Sequence, residues 1–360
     1  MTAPTTKQIR QAPKVLLHDH LDGGLRPQTL LHLADRIGYR NLPTTESADA
    51  LQSAIHEQAR GVDLPTYLST FRHTVAVLQT PAALARVADE CAADLARDGV
   101  IYAEVRFAPE SHTRGSMSLD DAIEAVLDGF RDTANRNLTI GLICTALRHE
   151  SQSRAVAEAA VRWRANGVVG FDLAGPEHGY PVSQHGSAVR YAKEHGLGIT
   201  LHAGEGAGVE SIEAALNLGA SRIGHGVRII EDIDTAAEPA RLGDVAVRLL
   251  RSRVALEICP TSNVHTGIAA SITAHPVKTL LDAGLGVTIN TDNRLISGVS
   301  ASSELAALVE HQNWDWRHIE TATNNAIDAG YQDEAFKAYL RSVIRPWYQK
   351  LASKGVLSPG

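Results

Sequence analysis

Eight short apolar runs, each followed by helical sequence, constrain this chain more than any other feature. They are Val15 to Leu17, Val100 to Phe107, Leu138 to Leu147, Val168 to Leu173, Ile199 to Leu201, Arg222 to Gly224, Val254 to Ile258 and Gly286 to Thr291. Strands that alternate with helices imply a parallel sheet. Eight such units close most naturally into a (β/α)8 TIM barrel, here with extra helices between strands 1 and 2 and at the C-terminus. A doubly wound sheet is the alternative. Against it, the first strand-helix turn, Asp22-Gly23-Gly24-Leu25, lacks a dinucleotide fingerprint, and no GxxxxGK[ST] phosphate loop occurs.

The length of 360 residues is compatible with one large domain, since barrels of this kind exceed the usual domain size. Residues 1–13, rich in Thr, Pro and Gln, read as a mobile leader, 14–350 as a single barrel domain and 351–360 as a C-terminal tail. Arg26-Pro27-Gln28-Thr29 reads as a helix start. Asp63 is placed to cap a helix carrying Leu64, Tyr67, Leu68, Phe71, Val75 and Leu78, whose spacings of 3, 1, 3, 4 and 3 mark one apolar face. The polar stretch from Asn41 to Gly61 is compatible with loop or helix.

A net charge of -7 without any cluster of Lys and Arg argues against a nucleic-acid partner, which needs positive charge to neutralise phosphates. The absence of an apolar signal region or of eighteen consecutive apolar residues argues against a membrane and for a cytoplasmic protein. Cys91, Cys144 and Cys259 are too few and scattered for a disulfide framework and read as buried small hydrophobes.

Function is concentrated where the strands end, the face on which barrels of this kind carry their chemistry. The first run leads into His18-Asp19-His20, the fifth into His202-Ala203-Gly204-Glu205, the sixth into His225 and the eighth into Asp292-Asn293. Two histidines two apart on a strand point to the same side. Paired imidazoles suit zinc, and a catalytic zinc keeps an open position beside its protein ligands. Singly, His202 reads equally as a bonded core histidine and Asp292 as a turn residue; jointly with His18 and His20 they read as a metal site. Glu205 and His225 are then candidates for handling the proton of a metal-held water, with Asp292 able both to ligate and to accept a hydrogen bond.

His18-Asp19-His20-Leu21-Asp22-Gly23, Glu104-Val105-Arg106-Phe107-Ala108-Pro109, Asp172-Leu173-Ala174-Gly175, His202-Ala203-Gly204-Glu205, Gly224-His225-Gly226, Glu257-Ile258-Cys259-Pro260-Thr261-Ser262-Asn263 and Asn290-Thr291-Asp292 follow one another in order. This set resembles the ordered motifs of the adenosine deaminase family, from about residue 14 to about 330. The resemblance implies one Zn2+ held by His18, His20, His202 and Asp292, and a metal-activated water, oriented by His225 and Asp292, that attacks C6 of a purine. It implies Glu205 as the acid that protonates ring nitrogen N1, which requires a carboxyl pKa raised toward the working pH.

The same resemblance implies a purine nucleoside bound by His20, Asp22, Gly175 and Asn293 under an apolar helix carrying Leu64, Tyr67, Leu68 and Phe71. Gly175 offers its N–H to N3, and Asp22, with Asp19 beside it, accepts from a ribose hydroxyl. Read without the family, Gly175 is a turn glycine, Asp22 a helix cap near Arg26, and the four apolar residues core packing. One departure stands out: Asn293 occupies the place of a second aspartate that contacts purine N7. An amide always has N–H groups to offer that acceptor, so recognition survives the exchange. Asp22, where adenine deaminases carry Glu, resembles the nucleoside deaminases. The expected activity is hydrolysis of adenosine and 2'-deoxyadenosine to the inosine product and ammonia; the alternatives are a deaminase of another 6-amino purine and a catalytically silent binding relative. The zinc deaminases that act on nucleic acids use a Pro-Cys-x-x-Cys signature that Cys259-Pro260 does not supply.

Overall fold

A computed structural model of the chain describes residues 3–131, 136–237 and 240–353. Its centre is an eight-stranded parallel sheet of β1 (Lys14–His20), β2 (Val100–Phe107), β3 (Thr139–Leu147), β4 (Val168–Ala174), β5 (Gly198–Ala203), β6 (Arg222–His225), β7 (Ala255–Ile258) and β8 (Gly286–Ile289). Strands adjacent in sequence are adjacent in the sheet. The ring closes just past β8, where the His20 N–H donates to the Asp292 backbone oxygen at 2.8 Å and the Asp292 N–H to that of His18 at 3.0 Å. The two ends of the barrel sequence are therefore pinned together at the residues that matter most below.

Helices fill the crossovers. Between β1 and β2 lie Pro27–Ile37, Ala48–Ala59, Leu64–Leu68, Phe71–Val77 and Pro81–Arg97; after β8 come Ala301–Gln312, Trp316–Ala329 and Glu334–Ser353. The polar stretch from Asn41 to Gly61 thus contains a helix, capped by Ser47, whose hydroxyl accepts from the Ala50 N–H. Pro27 opens its helix at the first position, where a missing N–H costs nothing. Asp63 caps as expected, accepting from the Thr66 N–H at 2.9 Å. The single helix expected from Leu64 to Leu78 is broken in two, because the Ser69 and Thr70 hydroxyls donate back to the Thr66 and Tyr67 carbonyls, each at 2.7 Å, and compete with the helical ladder. The sequence after β6, read as helical through Leu250, instead holds a 3-10 turn, a two-residue antiparallel ribbon (Ile233–Asp234 with Arg241–Leu242) and a helix from Asp244 to Ser252.

The leader also departs from expectation. Thr6–Gln11 is a helix with a capping box at Thr5, and Ile9 is fully buried in the core. Ile9 and the capping Ala12, both fully buried, dock this short helix, with the buried Lys14 ammonium donating to their carbonyls at its far end. Residues 354–360, most of the expected tail, lie outside the described residues. All three cysteines are free and buried. Among the described residues no helix is long and apolar enough to cross a membrane.

Candidate active site

Strand alternation puts His18 and His20 on one side of β1 and turns Asp19 to the other, where Arg294 and Thr291 donate to its carboxylate at 2.7 and 2.8 Å. Asp19 is therefore not available beside Asp22, contrary to the expectation. His202 at the end of β5 and Asp292 beyond β8 complete a cluster. His18 Nε2 lies 3.2 Å from His20 Nε2, which lies 3.3 Å from His202 Nε2, and Asp292 Oδ1 is 3.5 and 3.4 Å from the first two.

His18, His20 and Asp292 lie within reach of one ion, and with His202 beside His20 they offer donors for a divalent metal. Ligands about 2.0–2.1 Å from a tetrahedral ion lie roughly 3.3–3.4 Å from one another. The outer nitrogens fix the tautomers: His18 Nδ1–H donates to Glu257 at 2.9 Å and His202 Nδ1–H to Asp172 at 3.0 Å. In the neutral rings the Nε2 lone pairs of His18 and His202 are then free to hold a cation. Burial pushes His20 down to about 3 and lowers His202, keeping both rings in the neutral, ligating form. His18, buried and close to Arg106, is nevertheless raised by its bonds to Asp292 and Glu257, a pull that a bound cation would replace.

Below the cluster the charges are paired. Arg106 donates to Asp172 at 3.1 Å, to Glu257 at 2.7 Å and to the Leu17 carbonyl at 2.8 Å, and Arg222 bridges Glu104 and Glu257. All five side chains are fully buried, and the Glu104–Arg222 contact joins β2 to β6 across the ring. The barrel interior is thus an ion-pair lattice that orients two of the histidines.

Around the cluster stand the remaining candidates. Glu205 Oε2 is 3.6 Å from His225 Nε2. Burial first, then the charges of Asp292 and Glu177, holds Glu205 well above the ordinary carboxyl range, which favours its protonated form. Burial and neighbouring His18 hold His225 well below the usual histidine value. His225 and Asp292 have left-handed backbones, with φ of 60° and 54°, a conformation that costs free energy and turns each side chain inward at its strand end.

His20, Leu64, Tyr67, Leu68, Phe71, Gly175, His202, Glu205, His225, Asp292 and Asn293 line one inner pocket, so the apolar helix and the polar strand ends face the same space. It opens through His20, Leu68, Phe71 and Gly175 into a vestibule of about 280 Å³ that also includes Asp22. Asp22 does not cap a helix: one oxygen accepts from the Ala108 N–H at 3.1 Å, and the other, buried, has no partner. Gly175 has φ of 98°, and a Cβ there would meet His149 at 3.2 Å. Asn293 donates to the Tyr67 hydroxyl at 3.0 Å, while its own oxygen has no partner.

The adenosine deaminase family model matches residues 13–347. The chain belongs to the adenosine deaminase family. An adenosine deaminase of Mycobacterium tuberculosis is 47% identical over 358 residues, covering 97% of this chain and 98% of that one. Among solved structures, an adenine deaminase from Arthrobacter aurescens aligns with a TM-score of 0.84 at 28% identity over 94% of this chain and 99% of that one. An amidohydrolase from Burkholderia ambifaria, solved with bound Zn, gives 0.86 at 25% identity over 98% and 95%. Metal dependence is typical of the adenosine deaminase family, and the His/Asp cluster supplies the donors for it.

Several residues that hold this family's site together carried no role in the sequence reading. Ser262 donates to Asp292 Oδ2 at 2.6 Å, and Asn263 pairs with His225 Nδ1 at 3.0 Å. Asp172, Glu257 and Arg106 sit inside quoted motifs; charged residues within apolar strands were the signal that they pair in the barrel interior. Glu177 lies outside every motif and accepts from the backbone N–H groups of Gly204 (3.1 Å), Glu205 (2.8 Å) and Gly206 (2.9 Å) and from the Ser211 hydroxyl. On the other side of the same turn, Arg148 donates to the His202 carbonyl.

Proposed function

We propose that this chain is a zinc-dependent hydrolase converting adenosine, and 2'-deoxyadenosine, to the inosine product and ammonia, with residues 14–350 acting as one catalytic domain. The observation that carries this reading is the chain of contacts of 3.2–3.5 Å that links His18, His20, His202 and Asp292, with Glu205, its carboxyl pKa raised by burial, on the same pocket. Three imidazoles and one carboxylate are a donor set suited to zinc, and the Burkholderia relative was solved with that metal. When bound, zinc supplies a Lewis acid able to lower the pKa of water from 15.7 to about 7.

The chain's own residues do the rest. His225 and Asp292 hold the attacking water against C6, and Ser262 steadies the Asp292 carboxylate for this task. Glu205 delivers its proton to N1 as C6 becomes tetrahedral, so the ring never carries the full negative charge. Gly175 donates its N–H to N3 from a left-handed backbone conformation that favours glycine. Asn293 spends one amide N–H on Tyr67 and keeps the second for N7. The unpartnered oxygen of Asp22 accepts a ribose hydroxyl, beside His20. Leu64, Tyr67, Leu68 and Phe71 cover the ligand and exclude water. The vestibule beyond the inner pocket supports a nucleoside over a free base, because a ribose needs that additional space.

The test is metal content and ammonia release from adenosine before and after chelation, beside adenine and other 6-amino purines. Loss on chelation with recovery in zinc supports the reading. Undiminished turnover in metal-free protein, or a preference for free adenine, overturns it.

A further inference from the structure

We propose that a hydrogen-bond relay from the Val277 amide through His275 and Asn263 fixes the tautomer of His225, so that its Nε2 presents a proton to the cavity. This rests on the reading of His225 as a residue that holds the attacking water. The relay begins at a group whose polarity cannot change: a backbone N–H only donates, and that of Val277 donates to His275 Nδ1 at 3.1 Å. A neutral imidazole that accepts at one nitrogen carries its proton on the other. Burial pushes His275 down to about 4, so this ring is neutral at pH 7. Its Nε2–H therefore donates to the Asn263 side chain 3.2 Å away, which must present its oxygen there. That decides the amide orientation, which heavy-atom positions alone leave open. The Asn263 Nδ2–H then donates to His225 Nδ1 at 3.0 Å, and the His225 proton is left on Nε2, facing Glu205.

Water does not compete along this path, since Asn263 is 0%, His225 1% and His275 4% exposed. The Gln312 amide holds the His275 carbonyl at 2.6 Å and anchors the far end. Two consequences follow. His225 lies within reach of His18 and His202 as a third metal-binding imidazole. With Nε2 protonated it has no lone pair to give, which leaves the metal to His18, His20, His202 and Asp292. The same proton makes His225 a hydrogen-bond donor to the attacking oxygen and not the acceptor of its proton, a task left to Asp292. Asn263 and His275 are positioning residues that act through His225.

Asn263→Asp tests this, because an isosteric carboxylate accepts from both rings and turns His225 to the Nδ1–H form. Nitrogen-15 spectra of histidine-labelled protein separate protonated from unprotonated ring nitrogens, with His225 assigned by the signals lost in His225→Gln. The expected result is Nε2–H in the wild type and Nδ1–H in Asn263→Asp. With it, kcat on adenosine falls at least about 100-fold, since a wrong histidine tautomer costs up to roughly 10⁴ in a hydrolase triad. KM and metal content should stay within about threefold of wild type, as for a group acting on the reacting atoms alone. A wild-type His225 protonated at Nδ1, or an Asn263→Asp enzyme with undiminished kcat, overturns the proposal. Were the wild type unable to deaminate adenosine, the functional reading would fall, while the nitrogen spectrum would still decide the tautomer.

Discussion

Glu177→Ala is the perturbation that most directly tests how the turn carrying Glu205 is supported. Four donors converge on the Glu177 carboxylate, three of them consecutive amides of the turn that carries Glu205. The bonds to Gly204 and Glu205 are buried, whereas those to Gly206 and Ser211 are partly open to water. Truncation leaves two buried N–H groups unpaired, at about 1–3 kcal/mol each, and water can replace the other two bonds, for a total of roughly 2–6 kcal/mol. Glu177→Gln keeps one carbonyl oxygen for Glu205 and Gly206 but sets an NH2 group against the Gly204 N–H, so its cost should be near one such unit, about 1–3 kcal/mol. Urea unfolding at constant slope measures both losses, and hydrogen exchange of residues 204–206 locates them. Because the turn also aims Glu205, kcat should fall, on the order of 100-fold for a displacement near 1 Å. Equal effects of Ala and Gln, or amide protection at 204–206 unchanged in Glu177→Ala, would refute the reasoning.

Other outcomes follow from the same structure. Asn293→Ala should reduce kcat/KM by about 1–3 kcal/mol, the loss of one buried hydrogen bond to substrate, and steady-state kinetics on adenosine would show it. Arg106→Ala removes the shared partner of Asp172 and Glu257, leaving buried charge uncompensated; stability should drop by about 3–5 kcal/mol and metal affinity 10–100-fold, read by urea unfolding and metal titration. Burial raises Glu304 to about 8, so between roughly pH 4.5 and 8 the folded protein holds a proton that the unfolded chain has released. Stability from this group therefore falls as pH rises through that window, and Glu304→Gln should flatten the slope, gaining on wild type more at pH 8 than at pH 5. Parallel unfolding free energies at the two pH values would contradict it.

The sequence alone determined the barrel and the residue types at its strand ends, because both rest on local rules. Strand and helix periods are set by residues a few positions apart, so eight alternating units were legible without tertiary contacts. Period two put His18 and His20 on one side of β1, and the same rule already turned Asp19 away. Apolar anchors such as Ile9, and hydroxyls that break a helix such as Ser69 and Thr70, act through docking and side-chain geometry that a periodic pattern averages out.

Tertiary structure alone decided how those groups are supported. Ser262 reaches Asp292 across 30 positions, Asn263 reaches His225 across 38, and Glu177 gathers amides 27 to 29 residues further on. No spacing rule encodes such pairs, because the closing of the ring, and not the chain between the partners, sets their distance. The chemical types at the strand ends were written in the sequence. Their protonation, tautomers and aim come from neighbours that only the closed barrel brings within hydrogen-bond reach.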